Sequence, residues 1–184
     1  MSLADKKVAV LVGPGFEDSE LLQPVDTLRN AGVSVILIGL SEDDRRGVKG
    51  KRGAVVPVDA LIGEVREEDF DALLIPGGKG PAHLRHDPRV LEFTKAFDRD
   101  RKTIAAICHG PQILASADLL MGRTATSFFT VIPEVRKAGG LYVNRPVVID
   151  RNLITARKPG DIPQFSQALL EALDALPARE RKIA

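Results

Sequence analysis

The chain holds one cysteine and no tryptophan, aromatic residues make up 4% of it, and its net charge is only +1. Each scarcity removes a class of function. One cysteine cannot close an intramolecular disulfide, which fits a reducing cytoplasm. The 26 basic residues are matched by 25 acidic ones, so no excess charge draws in nucleic acid phosphates or an anionic membrane. So few aromatics leave no platform for base stacking. No apolar run reaches the ~20 residues of a membrane span. The opening Met1-Ser2-Leu3-Ala4-Asp5-Lys6-Lys7 lacks the long apolar region of a signal peptide.

Several motifs are missing as well. No Gly-x-Ser-x-Gly segment is present, which disfavours a serine hydrolase. Gly13-Pro14-Gly15-Phe16-Glu17-Asp18 begins like a dinucleotide fingerprint, but Asp18 stands where the third glycine belongs and would repel a pyrophosphate. Gly78-Lys79-Gly80 lacks the Ser or Thr of a phosphate loop. His83 and His86 share a helix face, yet no third ligand lies near them in sequence. Neither a metal nor a cofactor is expected.

What is present reads as one soluble α/β domain over residues 1–184, with a tail from Pro177 that is expected to fray. Apolar runs at Lys7 to Val12, Val33 to Leu40, Asp71 to Ile75 and Thr103 to Ile107 read as buried strands. Ala54 to Val58 reads as a strand toward the sheet edge, because Pro57 argues against a central one. Shorter strand candidates are Ala125 to Phe129, Leu141 to Asn144, Val147 to Ile149 and Leu153 to Thr155. Helical spacing covers Asp18 to Ala31, Pro88 to Asp100, Pro111 to Ala117, Ile132 to Ala138 and a last helix from near Asp161. Pro24 predicts a kink or a late start in the first helix. Ser41 to Arg52 reads as a polar loop. Alternating strands and helices imply a mostly parallel sheet covered on both faces, with its site beyond the strands' carboxyl ends.

Three strand ends then converge. Cys108 stands between the strand Thr103-Ile104-Ala105-Ala106-Ile107 and the helix start at Gly110-Pro111, the arrangement of a nucleophile elbow with sulfur in place of oxygen. Gly77 and Gly78 end the preceding strand. Their N–H groups, with that of His109, form a candidate oxyanion hole. Glu17 ends the first strand's loop. It serves either as a helix-start carboxylate, the reading given to Asp18 and Glu20, or as a carboxyl beside the thiol that donates a hydrogen bond or moves a proton. His109 serves either as a base or as a packing residue. A helix amino terminus behind Cys108 favours thiolate, so a lowered thiol pKa is expected.

These residues carry a resemblance. Gly15-Phe16-Glu17-Asp18-Ser19-Glu20-Leu21, Asp69-Phe70-Asp71-Ala72-Leu73 running into Pro76-Gly77-Gly78, the elbow Ala106-Ile107-Cys108-His109-Gly110-Pro111-Gln112, Thr126-Ser127 and Arg157-Lys158-Pro159-Gly160-Asp161 together resemble the PfpI intracellular-protease branch of the DJ-1/ThiJ/PfpI superfamily. The resemblance implies a flavodoxin-like three-layer sandwich, a homodimer or higher homo-oligomer, Cys108 as nucleophile and Glu17 as the carboxyl bonded to it. In proteolytic members a glutamate of the neighbouring subunit completes a triad. Here that position, after Pro81, holds Ala82, and Asp87 is the candidate substitute. The resulting expectation is a cofactor-independent cysteine enzyme acting on small aldehydes such as methylglyoxal, or on glycated protein or peptide. The alternatives are a peptidase or amidase, and an oxidative-stress sensor or chaperone that uses Cys108 oxidation.

Overall fold

A seven-stranded sheet forms the middle of the molecule, with helices on both faces. The computed structural model describes residues 3–177. In chain order the elements are β1 (Lys7–Leu11), α1 (Asp18–Asn30), β2 (Ser34–Gly39), β3 (Val48–Lys49), β4 (Val55–Val56), β5 (Ala60–Leu61), β6 (Ala72–Ile75), α2 (Gly80–Leu84), α3 (Pro88–Arg99), β7 (Thr103–Ile107), α4 (Pro111–Ser116), β8 (Thr124–Ala125), α5 (Ile132–Lys137), β9 (Leu141–Tyr142), β10 (Val147–Asp150), β11 (Leu153–Ala156) and α6 (Ile162–Asp174). The sheet order is β10-β11-β7-β6-β1-β2-β5. Every pairing in it is parallel except β10 with β11.

Both faces of the sheet are buried, so its strands are apolar throughout and sort their side chains with a period of two. Val8, Val10, Leu74, Ala105, Ile107, Ile154 and Ala156 face α1 and α6. Ala9, Leu11, Leu73, Ile75, Ile104, Ala106 and Leu153 face the layer of α2, α3, α4 and α5. On that second face Phe70, Phe93 and Phe97 pack together, with the Phe93 and Phe97 ring centroids 5.1 Å apart. This is the three-layer α/β sandwich that the sequence implies.

Several local expectations change. The segment Ala54 to Val58 is not the sheet edge. Its β4 pairs antiparallel with β3 in a hairpin outside the main sheet, and β5 takes the edge. Ser41 to Arg52 is not a plain loop, since it holds a 3₁₀ turn at Glu42–Arg45 and then β3. β8 and β9 form a separate parallel pair, shorter than expected. α1 begins at Asp18 and runs through Pro24, which removes one backbone hydrogen bond without ending the helix. The expected fraying of the tail falls almost wholly on residues 178–184, outside the described residues. Among the described residues no helix is long and apolar enough to cross a membrane.

β1 and β6 are neighbours, and from β1 the chain first moves outward to β2 before returning on the other side. That reversal opens the crevice at the carboxyl ends of the strands. The β1–α1 loop, the β6–α2 loop and the end of β7 meet there.

Candidate functional site

Cys108 has φ of +63°, a left-handed conformation that a non-glycine residue adopts only where its surroundings impose it. Main-chain bonds supply the constraint. The Cys108 N–H donates to Ala156 O at 2.9 Å, and its carbonyl accepts from Phe128 N at 2.9 Å. The chain then turns into α4 through Gly110, where a Cβ would lie 2.6 Å from Ile75 O. The elbow expected at this position is thus present, with the side chain largely buried.

The carboxyl group at the sulfur is that of Glu20, not Glu17. Glu20 is fully buried beside the Cys108 thiol, close enough for each group to shift the other's pKa, and its Oε2 accepts from Gly77 N at 2.9 Å. Glu17 is turned the other way. Its Oε1 accepts from Arg52 Nε at 2.8 Å, and its Oε2 lies 3.6 Å from Lys51 Nζ. The expected Glu17–Cys108 contact is therefore corrected to Glu20–Cys108. The reason is helical phase: Glu20 lies on the same face of α1 as Leu21, Pro24, Val25 and Leu28, all buried. An acid in step with a buried stripe was the signal, and reading it as a dipole-capping residue missed it.

The candidate oxyanion donors divide. The N–H groups of Gly78 and His109 are close enough to the Cys108 sulfur to pull its pKa down. The N–H of Gly77 is committed to Glu20 and leaves the set. Gly77 serves instead as a space: a Cβ there would lie 2.4 Å from Glu20 Oε2 and 2.7 Å from Cys108 Cβ. Gly78, at φ +79°, has its own Cβ position blocked 2.3 Å away by Glu17 N.

His109 does reach the sulfur. Its Nδ1 is 3.2 Å from Cys108 Sγ, and its Nε2 is 3.2 Å from Thr130 Oγ1. Its ring packs against Phe128, with centroids 5.0 Å apart. Among the described residues no carboxylate bonds the ring. Asp87, the candidate substitute for an orienting acid, caps α3 and is paired with Arg89 at 2.6 Å. Ala82 lies exposed on α2. Glu134 is close enough to act on His109 through its charge, but its oxygens are held by Gln112 at 2.8 Å and Arg85 at 2.7 Å. His83 and His86 are both exposed. Among the described residues no three His, Cys, Asp or Glu side chains come together to hold a metal ion.

Burial dominates the electrostatics. It pushes Glu20 up to about 7, while the bond from Gly77 and the ammonium of Lys51 pull the other way. Burial also pushes the Cys108 thiol up, as does the neighbouring Glu20 when ionised, against the pull of the Gly78 and His109 N–H groups. The expected lowering of the thiol by a helix terminus is thus reversed in direction, because α4 has only six residues and the sulfur is desolvated. Burial lowers His109, and Lys51 lowers it further, so the ring is neutral at pH 7 and able to accept a proton. Cys108 and Glu20 titrate as a unit. Near pH 7 the pair loses its first proton. The remaining proton then stays on the sulfur, whose pKa burial and the ionised Glu20 hold up, with a carboxylate beside it that can take that proton.

A lid borders this pair. Lys51 N donates to Phe16 O at 2.8 Å, and Gly15 N donates to Lys49 O at 2.8 Å. The Asp18 carboxylate accepts from Arg52 N at 2.9 Å and Ala54 N at 2.8 Å. Against the cost of burial, those bonds hold Asp18 below its ordinary value. The β3–β4 hairpin is thereby fastened over the β1–α1 loop beside the crevice, a role the sequence did not reveal.

Known proteins of this kind were found by comparison. The model of the DJ-1/PfpI family matches residues 6–172. The chain is 45% identical over 172 residues to protein/nucleic acid deglycase 2 of Escherichia coli (strain K12), covering 92% of this chain and 99% of that protein. It is 44% identical over 168 residues to the putative cysteine protease YraA of Bacillus subtilis (strain 168), covering 91% and 98%. A solved two-domain protein from Anabaena variabilis, containing DJ-1/ThiJ/PfpI-like and ferritin-like domains, superposes with a TM-score of 0.89 at 38% identity. The match covers 97% of this chain and 52% of that one, so the present chain spans about half of the two-domain protein.

Proposed function

The chain belongs to the DJ-1/PfpI family, and from that membership and the geometry of the elbow we propose a cofactor-independent cysteine enzyme acting on reactive aldehydes or glycated adducts. The observation that carries this reading is the buried Glu20 carboxyl beside the Cys108 thiol, where a Cβ on Gly77 would touch both, with a Glu20 pKa raised to about 7. A carboxylic acid held near neutrality beside a nucleophile can both give and take a proton in one turnover.

With methylglyoxal the steps balance without an oxidant. The Cys108 sulfur attacks the aldehyde carbon, a C–S bond forms, and the carbonyl oxygen takes the Glu20 proton to give a hemithioacetal. The Glu20 carboxylate removes the proton from the former aldehyde carbon and returns it to the neighbouring carbon, while the hemithioacetal hydroxyl proton passes to the neighbouring carbon's oxygen, which leaves the thioester of lactate. His109 Nδ1 takes a proton from water as it attacks the thioester, releasing lactate and the thiol. The Gly78 and His109 N–H groups, which lie near the sulfur, are close to the oxygen that gains charge. A glycated amine enters the same sequence as its hemiaminal: the Cys108 sulfur bonds to the adduct carbon, the C–N bond breaks, and the amine leaves with the Glu20 proton. The name of the E. coli relative places nucleic acid beside protein among such adducts. The balanced charge of this chain argues only against capture of the intact polymer. Action in the cytoplasm as a homodimer belongs to the same proposal.

Proteolysis is the second reading, favoured by the name of the B. subtilis relative. Ala82 weighs against it, since it stands where proteolytic members carry the triad glutamate. The deciding experiment follows methylglyoxal and lactate in wild type and Cys108→Ala, with casein as a parallel substrate. Lactate formation that vanishes in the variant supports the aldehyde reading. Cysteine-dependent casein cleavage without lactate formation replaces it with proteolysis.

A further inference from the structure

The hairpin side of the crevice is charged in one sense. From Val48 to Val56 the hairpin carries Lys49, Lys51 and Arg52 and no acid. Lys79, which follows Gly78, is exposed on the facing loop. The compensating acids lie underneath. The Glu17 side chain is 7% exposed, whereas those of Lys51 and Arg52 are 55% and 69% exposed. Asp18 is buried and spent on the hairpin's own N–H groups. On the hairpin side a solute approaching Cys108 therefore meets ammonium and guanidinium groups, while Glu134, the carboxylate near His109, is already held by Arg85 and Gln112. The position of the hairpin's cations is fixed, because Lys51 N is bonded to Phe16 O and Phe16 pairs with Gly78, whose N–H lies near the sulfur.

We propose that Lys51 and Arg52 make this site selective for carbonyl compounds that carry a negative charge, a carboxylate or a phosphate, close to the carbon that Cys108 attacks. The inference rests on the reading above for the carbonyl group, and on the hairpin for the charge. The covalent step is reversible addition: a C–S bond forms, the carbonyl π bond breaks, and its oxygen takes the Glu20 proton. Lys51 is near enough to Glu20 and His109 to lower both, so its field reaches the reacting atoms. Charge lining a low-dielectric cleft raises the local concentration of counter-ions and speeds their entry by ~10-fold or more at low salt.

Cys108 is the only cysteine, which allows a test that needs no turnover. The same thiolate attacks iodoacetate and iodoacetamide, displacing iodide from each, so the ratio of the two rate constants cancels its pKa and reports only the charge preference of the approach. Relative to a cysteine peptide of neutral charge, the ratio is expected to be at least ~5-fold higher at low salt. It is expected to fall to the peptide value in Lys51→Glu/Arg52→Glu, and to shrink in wild type at 0.5 M NaCl, an ionic strength at which the Debye length is roughly 4 Å. Circular dichroism and the iodoacetamide rate show whether the variant is folded, and Lys51→Gln serves as the milder substitution. A wild-type ratio equal to the peptide's, a ratio unmoved in both variants, or no labelling by either reagent overturns the proposal. Protection of Cys108 by glyoxylate and by glyceraldehyde 3-phosphate then tells carboxylate from phosphate, with glycolaldehyde as the neutral control. Equal protection by all three overturns the proposal too. A high ratio in a protein that turns over no aldehyde leaves the charge selection standing and removes the enzymatic reading instead.

Discussion

Glu20 lies buried beside the Cys108 thiol, while Glu17, one helical turn earlier, faces Lys51 and Arg52. Two carboxyl groups three residues apart thus serve opposite sides of one loop. The inner one shares protons with the nucleophile, and the outer one holds the cations of the hairpin.

The shared proton gives the thiol an unusual titration. Alkylation of Cys108 by iodoacetamide is expected to rise in two stages in wild type, the first near pH 7 where the pair loses one proton. Glu20→Gln leaves one ionising group, so its profile has a single stage. Its midpoint lies between the two, because the first loss from a pair is never harder than from one member alone. Glu17→Gln keeps two stages. A two-stage profile in Glu20→Gln would place the second titrating group elsewhere.

Stability carries the same signature. Glu20 is raised from 4.5 to about 7, so the folded state retains a proton that the unfolded chain has lost. The stability this confers is complete below about pH 4.5 and declines as pH rises to about 7. The decline amounts to about 3 kcal/mol at most. In Glu20→Gln the difference in unfolding free energy between pH 4.5 and pH 8 is expected to be smaller than in wild type by an amount of that order. Urea titrations at the two pH values measure it.

Gly77 is a matter of space. Gly77→Ala would set a methyl carbon 2.4 Å from Glu20 Oε2 and 2.7 Å from Cys108 Cβ. Separating these groups is expected to lower methylglyoxal turnover by ~100-fold, a displacement effect of the size that small misplacements of reacting groups produce. The cost to stability is about 1–3 kcal/mol. Retained far-ultraviolet circular dichroism with turnover near wild type would show that the loop shifts freely.

The hairpin depends on Asp18. Asp18→Ala removes the acceptor for Arg52 N and Ala54 N, at a cost of about 1–3 kcal/mol for two orphaned donors. Trypsin is expected to cut after Lys51 and Arg52 at least ~5-fold faster, in keeping with that lower local opening energy. Cleavage elsewhere in the described residues should be unchanged, as mass spectrometry of the fragments would show.

The sheet was legible because both its faces are buried, and continuous runs such as Ala72 to Ile75 admit no other reading. The elbow was legible for the same reason: apolar residues end at Cys108 and a helix start follows at Pro111. Short elements were not. Val55 and Val56 have strand chemistry, but their partner, Val48 and Lys49, lies in a segment whose polarity resembles a loop. The site was legible to the level of its loops. Choosing between Glu17 and Glu20 required the rotation of α1, which a local reading of Pro24 as a possible late start had obscured. Thr130, Phe128 and the hairpin enter the site through long-range packing that no spacing in the sequence encodes.

The elbow is fastened by main-chain groups alone: Cys108 N to Ala156 O, Phe128 N to Cys108 O, and Gly110 N to Ile107 O. None of these bonds depends on which side chain a neighbour carries. The frame can therefore stay fixed while rim positions such as Ala82, Lys51 and Thr130 drift through mutation, each drift altering what is bound without moving the sulfur. A scaffold of this kind lends itself to divergence, and proteins named deglycase and protease at 44–45% identity to this chain are what such freedom at the rim would produce.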